Sequence, residues 1–195
     1  NFDGHQFWNL VENEGITHIT LVYTMLIGIL KAYKEGKYRK NRLRSISAGG
    51  QAVPVEVIRE TVKTLGEDIF FVVYGLTEMS PLITYLPKEE VSLEGDAAKR
   101  LSSVGKEMFS CHVRVVDEEG NDVEPDQLGE VIVSGPNLMK GYWKMPEETS
   151  KAVRGGWFYT GDVGKMDKDG YIYLIDRKKD IIISGGENIA PREVE

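Results

Sequence analysis

The sequence predicts an α/β protein in which the end of a mostly parallel, helix-covered sheet is followed by a smaller all-β unit. Three observations point there. Short apolar runs of strand length alternate with amphipathic helical patterns over the first half of the chain, the arrangement that builds a parallel sheet covered by helices. From about residue 100 the apolar residues instead recur at every second position, the period of a half-buried strand. With 41% apolar residues in 195, the chain has enough to bury at least one core.

Taken in order, Phe7, Leu10 and Val11 recur at helical spacing and Gly15 ends the pattern, so the first element is a helix. A β-branched strand over residues 16–23 follows, then a second helix over 24–33. This helix runs into "KAYKEGKYRKNRLR", where seven cations face one glutamate; we read it as a solvated helix end, since cations are favoured at the C-terminal end of the helix dipole. "LRSISAGG" is a strand reaching a Gly-Gly turn, "VPVEVIRETVKTLG" a helix opened by Pro54 and closed by Gly66, and "IFFVV" a buried strand. Ligands of such sheets bind outside the C-terminal strand ends, here "SAGGQAV" and "YGLTEMSP".

After the charged stretch "EEVSLEGDAAKRLSSVG" comes the all-β unit. "CHVRVVDEEGNDV" and "GEVIVSGP" alternate around a turn, "PEETSKAV" is a short helix, and "GWFYTGDVGKMDKDGYIYLIDR" resumes the alternation across a Lys-Asp-Gly turn. The last segment, "DIIISGGENIAPREVE", reads as strand, Gly-Gly turn and helix start.

Acidic residues outnumber basic ones by 31 to 24, a net charge of -7, which argues against nucleic acid as the main partner and suits a soluble cytoplasmic protein. The single cysteine, Cys111, has no partner for an internal disulfide, and His5, His18 and His112 lack zinc-ligand spacing. The apolar run "ITLVYTMLIGIL", residues 19–30, is too short to span a bilayer and reads as core.

Two motifs carry chemistry. In "YGLTE", residues 74–78, Tyr74 offers a flat face for a base, Thr77 a hydroxyl for a phosphate oxygen and Glu78 a hard carboxylate for Mg2+; alone, the pentapeptide also reads as a plain strand-to-loop turn. In "TGD", residues 160–162, Asp162 beside a flexible glycine can accept hydrogen bonds from two neighbouring sugar hydroxyls. "DKDGYI" has Asp167, Asp169 and Gly170 at calcium-loop spacing, but Lys165 stands where the first carboxylate is required, so we read a hairpin turn.

The succession "YGLTE", "GEVIVSGPNLMKGYW", "WFYTGD" and "DGYIYLIDRKKDIIISGGENIAPREVE" resembles the ordered core motifs of the adenylate-forming superfamily, and within it the acyl-CoA synthetases, or AMP-dependent acid-CoA ligases. The likeness runs from about Ser45 to the last residue, and four motifs in one order make it specific.

The resemblance implies activation of a carboxylic acid by ATP and Mg2+ to an acyl-adenylate, then transfer to coenzyme A. A fatty acid is the first expectation for the acid, prompted by Ile183, with aryl acids next. By motif, Tyr74 stacks on adenine, Gly75 belongs to the same nucleotide turn, Thr77 holds the α-phosphate, Glu78 holds Mg2+, and Asp162 and Arg177 hold the ribose. Gly49, Gly50 and Gln51 form pocket wall, Lys179 is the hinge, and Gly185 and Gly186 lie in the loop on the CoA side. The implied divisions are residues 1–99, the end of a large α/β nucleotide-binding subdomain; 100–175, a small distorted β-barrel; and 176–195, the hinge and start of a small C-terminal domain. The family's phosphate loop and its C-terminal lysine are not in this sequence, so we expect a piece of a longer protein that does not adenylate by itself. Alternatives are an enzyme adenylating aryl or carrier-bound acids, and a non-catalytic nucleotide-binding relative.

Overall fold

The computed structural model describes residues 2–39, 42–51, 53–178, 182–184 and 187–189. The chain divides into two compact units: Asn1–Tyr74 with Tyr85–Ser102, and Gly75–Thr84 with Ser103–Glu195.

In the first unit, helix α1 (Gly4–Glu14) starts where the Asp3 carboxylate accepts the amides of His5 and Gln6 at 2.8 and 3.1 Å, and stops at Gly15 in the left-handed region. Its apolar stripe places Phe7, Trp8 and Val11 in the core; the Trp8 indole also donates to the Ile29 carbonyl at 2.8 Å, tying α1 to α2 (Tyr23–Glu35). Strands β1 (His18–Val22), β2 (Ser45–Gly49) and β3 (Phe70–Gly75) are parallel, with Leu21 opposite Ala48 and Ala48 opposite Val72. Ile46 and Ala48 on one face of β2 and Ser47 on the other are all buried, as in a sheet covered on both faces. The buried Ser47 hydroxyl is satisfied by Thr20 at 2.9 Å.

Helix α3 (Val55–Leu65) follows Pro54, ends at Gly66 and buries Ile58, Val62 and Leu65. In the cation-rich stretch Lys34 pairs with Glu60 and Lys31 approaches Glu35, both lysines being mostly exposed. Strand β4 (Leu82–Leu86), which we did not anticipate, crosses from the second unit into the first, and a short α4 (Ala97–Arg100) completes the first.

The second unit is antiparallel. After β5 (Lys106–Glu107) come β6 (His112–Val116), β7 (Gly129–Ser134), α5 (Pro146–Ala152), β8 (Val153–Arg154), β9 (Trp157–Met166) and β10 (Ile172–Arg177). Their order is β10-β9-β7-β6, with β8 beside β9. This sheet is bulged in β9, opposite Glu130 and Ile132 of β7, and in β10 and, among the described residues, does not close into the expected barrel. Val131, Ile132 and Val133 of the central β7 are buried in succession.

At the β9–β10 turn, the Asp167 carboxylate accepts the amides of Asp169 and Tyr171, both at 2.9 Å, and the Tyr173 hydroxyl at 3.2 Å. The calcium-like spacing thus serves a hairpin turn. The last described strands, β11 (Ile182–Ser184) and β12 (Glu187–Ile189), pair antiparallel; the first is the expected strand, and the helix start expected at Pro191 lies outside the described residues. No described helix is long and apolar enough to cross a membrane.

Candidate functional site

The first unit contributes one strand edge. Parallel pairing of Ala48 with Val72 brings the ends of β2 and β3 side by side, so Gly49 ends one strand and Gly50 follows it, where Tyr74 stands next to the last residue of the other. Gly50 has φ +84°, Gly50 and Gln51 are exposed, and Tyr74 is half-buried. This is the edge at which parallel sheets present ligands.

The remaining candidates lie in the second unit. Gly75 opens a tight reversal whose returning strand leaves no room for a side chain: a Cβ there would stand 1.7 Å from the Pro81 carbonyl oxygen. Beyond it, Thr77 and Glu78 form a single 3-10 turn, closed by the Met79 amide on the Leu76 carbonyl at 2.9 Å. The Thr77 side chain is exposed and Glu78 half-buried.

The loop after β7 grips this turn. The Asn137 side-chain amide donates to the carbonyls of Met79 and Leu82 at 2.5 and 3.3 Å, and the Met139 amide donates to the Glu78 carbonyl at 2.7 Å. The Tyr142 hydroxyl donates to Glu78 Oε1 at 2.8 Å, and Oε2 has no hydrogen bond among the described residues. Glu78 is therefore a fixed carboxylate with one oxygen open. With the neighbouring Thr77 hydroxyl it fits a hard cation that takes one or two carboxylates and completes its shell with phosphate and water.

Burial first, and the bond to Glu78 second, push the Tyr142 hydroxyl from its ordinary value near 10 up to about 12. Because the folded value is the higher one, this group's contribution to stability is complete below about pH 10 and is lost as the pH rises through about 12. We expect Tyr142→Phe to flatten the decline in stability of the full-length protein between those limits, measured by chemical denaturation at stepped alkaline pH. A decline of unchanged steepness would remove the bond to Glu78.

The second motif is held from the other end of β7. Gly161 has φ +73°, open to glycine at no steric cost, and turns the chain just before the buried Asp162. The Thr160 hydroxyl donates to the Val131 carbonyl at 2.6 Å and accepts the Asp162 amide at 3.0 Å. Across the β9–β10 ladder Asp162 stands opposite Arg177, whose Nε lies 3.4 Å from Asp162 Oδ1. The carboxylate is mostly buried and the guanidinium mostly exposed, so the cation can turn towards a ligand without leaving its partner. Next to it, Asp176 accepts the Arg177 amide through Oδ1, whereas its buried Oδ2 has no partner among the described residues.

One continuous segment therefore serves both motifs: Glu130 and Val131 hold the Thr-Gly-Asp turn, and Asn137, Met139 and Tyr142 hold Thr77–Met79. In the sequence this segment stands out as a motif, with no role evident for its side chains. The signals were present, an acid at the head of a buried apolar strand and a tyrosine in "GYW", but neither names its partner. Lys179, Gly185 and Gly186 lie outside the described residues.

Comparison with known proteins identifies the family. The family model described as "AMP-binding enzyme" matches residues 1–143. A feruloyl-CoA synthase of Amycolatopsis is 40% identical over 195 residues, all of this chain and 38% of that protein. A medium/long-chain-fatty-acid–CoA ligase of Mycobacterium tuberculosis is 37% identical over 194 residues and matched over 33% of its length. Among solved structures, o-succinylbenzoate CoA synthetase of Bacillus subtilis in complex with ATP and magnesium superposes with a TM-score of 0.85 at 34% identity, covering 100% of this chain and 38% of the other. The chain thus spans about a third to two-fifths of the length of these relatives. On the family match over most of its length, and on identities above 30% throughout, the chain belongs to the AMP-binding enzyme family.

Proposed function

We propose that this chain carries part of the nucleotide site of an AMP-forming acid-CoA ligase. The observation behind the reading is that one segment, residues 129–142, fixes both the Glu78 turn and the Asp162 turn. In the first half-reaction a substrate carboxylate oxygen attacks the α-phosphorus of ATP, its bond to the bridging oxygen breaks, and pyrophosphate leaves with that electron pair. In the second, the CoA thiolate attacks the acyl carbon and AMP departs. A carboxylate is a poor acyl donor because oxide would have to leave, whereas AMP leaves readily.

In this reading Asp162 and Arg177 hold the ribose, Tyr74 stacks on adenine against a wall of Gly49, Gly50 and Gln51, and Gly75 lets the nucleotide turn close. Thr77 donates to the α-phosphate, and Glu78 would hold Mg2+, which supplies neutralisation of the phosphate charge that builds in the transition state. Lys179 as hinge and Gly185 and Gly186 as the CoA-side loop remain part of the proposal. So do the domain divisions at 99 and 175.

The acid is a fatty or an aryl acid, since relatives named for both classes are similar to this chain at 37 to 40% identity. Working with ATP and CoA suits a cytoplasmic enzyme. The test is acid-dependent pyrophosphate release and CoA-thioester formation by the full-length protein, over matched panels of fatty and aryl acids. We expect both products with one class. Nucleotide binding with neither product would leave a non-catalytic relative, and acylation of a carrier's pantetheine but not of CoA would reassign the acceptor.

A further inference from the structure

Glu130 departs from its surroundings. It sits near the head of β7, immediately before the three buried residues Val131, Ile132 and Val133, and its side chain is only 14% exposed. Glutamate is disfavoured in strands, and a carboxylate taken out of water is costly unless strong donors compensate it. Two donors do so here. Oε1 accepts the Gly161 amide at 3.2 Å, and Oε2 accepts the Lys178 ammonium at 3.0 Å. The Lys178 amide in turn donates to the Gly161 carbonyl at 2.8 Å.

The Gly161 peptide is thereby held from both sides, its N–H by Glu130 and its C=O by Lys178, while Glu130 and Lys178 hold each other. Gly161 is the residue whose left-handed backbone sets where Asp162 starts, and with no side chain it has the widest backbone freedom in the turn. A carboxylate that must meet two vicinal hydroxyls gains affinity from being fixed beforehand.

We propose that Glu130 is a positioning residue for nucleotide binding, fixing the Gly161 peptide so that Asp162 is preorganised for the ribose, with Lys178 orienting Glu130. This rests on the reading of Asp162 as the ribose ligand. Glu130 itself does not touch the nucleotide. Gln in its place keeps an oxygen acceptor for the Gly161 amide and loses only the charge facing Lys178; Ala loses both.

The test is calorimetric titration of the full-length protein and its Glu130→Ala and Glu130→Gln variants with ATP and with 2′,3′-dideoxy-ATP, which lacks both hydroxyls. Loss of one charge-assisted contact predicts ATP binding weaker by roughly tenfold in the alanine variant and by less than about threefold in the glutamine variant. Binding of the dideoxy analogue is expected to change by less than about twofold in either, because the effect passes through the ribose. Equal weakening of both nucleotides would mark a merely structural role and overturn the proposal, as would unchanged ATP affinity in the alanine variant or a glutamine variant as weak as alanine. Wild-type protein that binds no nucleotide overturns this proposal and the ligase reading together. Wild-type protein that binds ATP but forms neither pyrophosphate nor thioester overturns the ligase reading alone.

Discussion

Asp162→Ala in the full-length protein is expected to weaken ATP binding by roughly 10- to 150-fold, the equivalent of about 1.5 to 3 kcal/mol for lost hydrogen bonds to a charged acceptor. Asp162 is 8% exposed and already oriented by the Thr160 hydroxyl at its amide and by Arg177 at its carboxylate, so little ordering opposes ligand binding there. Removal also leaves the Arg177 guanidinium without this anionic neighbour, and part of the loss belongs to that cation. Asp162→Asn separates the two contributions: it keeps the shape and one acceptor but not the charge, and should fall between wild type and alanine. Calorimetry with ATP and with 2′,3′-dideoxy-ATP checks the assignment, because the analogue should bind wild type and the alanine variant with similar affinity. An alanine variant that binds ATP as wild type does would remove Asp162 from the nucleotide site.

Much of the fold could be read from the sequence wherever one local rule decided the outcome. Gly15 sits in the left-handed conformation that ends α1, Pro54 and Gly66 bracket α3, and the Lys-Asp-Gly turn joins β9 to β10. Strand β4 escaped because its five residues lie between Pro81 and Pro87, and prolines on both sides read as loop punctuation. At 187–189 a short strand pairs with the one before the Gly-Gly pair, Ile183 opposite Asn188, a pairing that no local signal announced, and the helix start expected at Pro191 lies outside the described residues. Within the site, the motif residues were visible as short local patterns. Their supports were not: Tyr142 meets Glu78 across 64 positions, and Glu130 meets Gly161 across 31. Periodicity reports which face of an element is buried, and says nothing of which distant polar group that face will meet.

The carboxylate that those supports converge on is also where the largest kinetic effect is expected. Glu78→Gln preserves the side-chain shape and an oxygen able to accept the Tyr142 hydroxyl, so the turn held by Asn137 and Met139 should persist. What it removes is one negative charge beside the position proposed for Mg2+. Since a metal ion contributes several kcal/mol to charge stabilisation in phosphoryl chemistry, a weakened site should slow adenylation by roughly 10²- to 10³-fold and raise the magnesium concentration needed for half-maximal rate. The second half-reaction begins from an adenylate that has already lost pyrophosphate, so thioester formation from supplied acyl-adenylate should stay within about threefold of wild type. Single-turnover pyrophosphate release, followed separately from CoA capture, reads the two steps apart. Equal loss in both would mean that Glu78 supports the fold of the site, because a metal ligand for ATP has no reason to govern a reaction in which ATP takes no part.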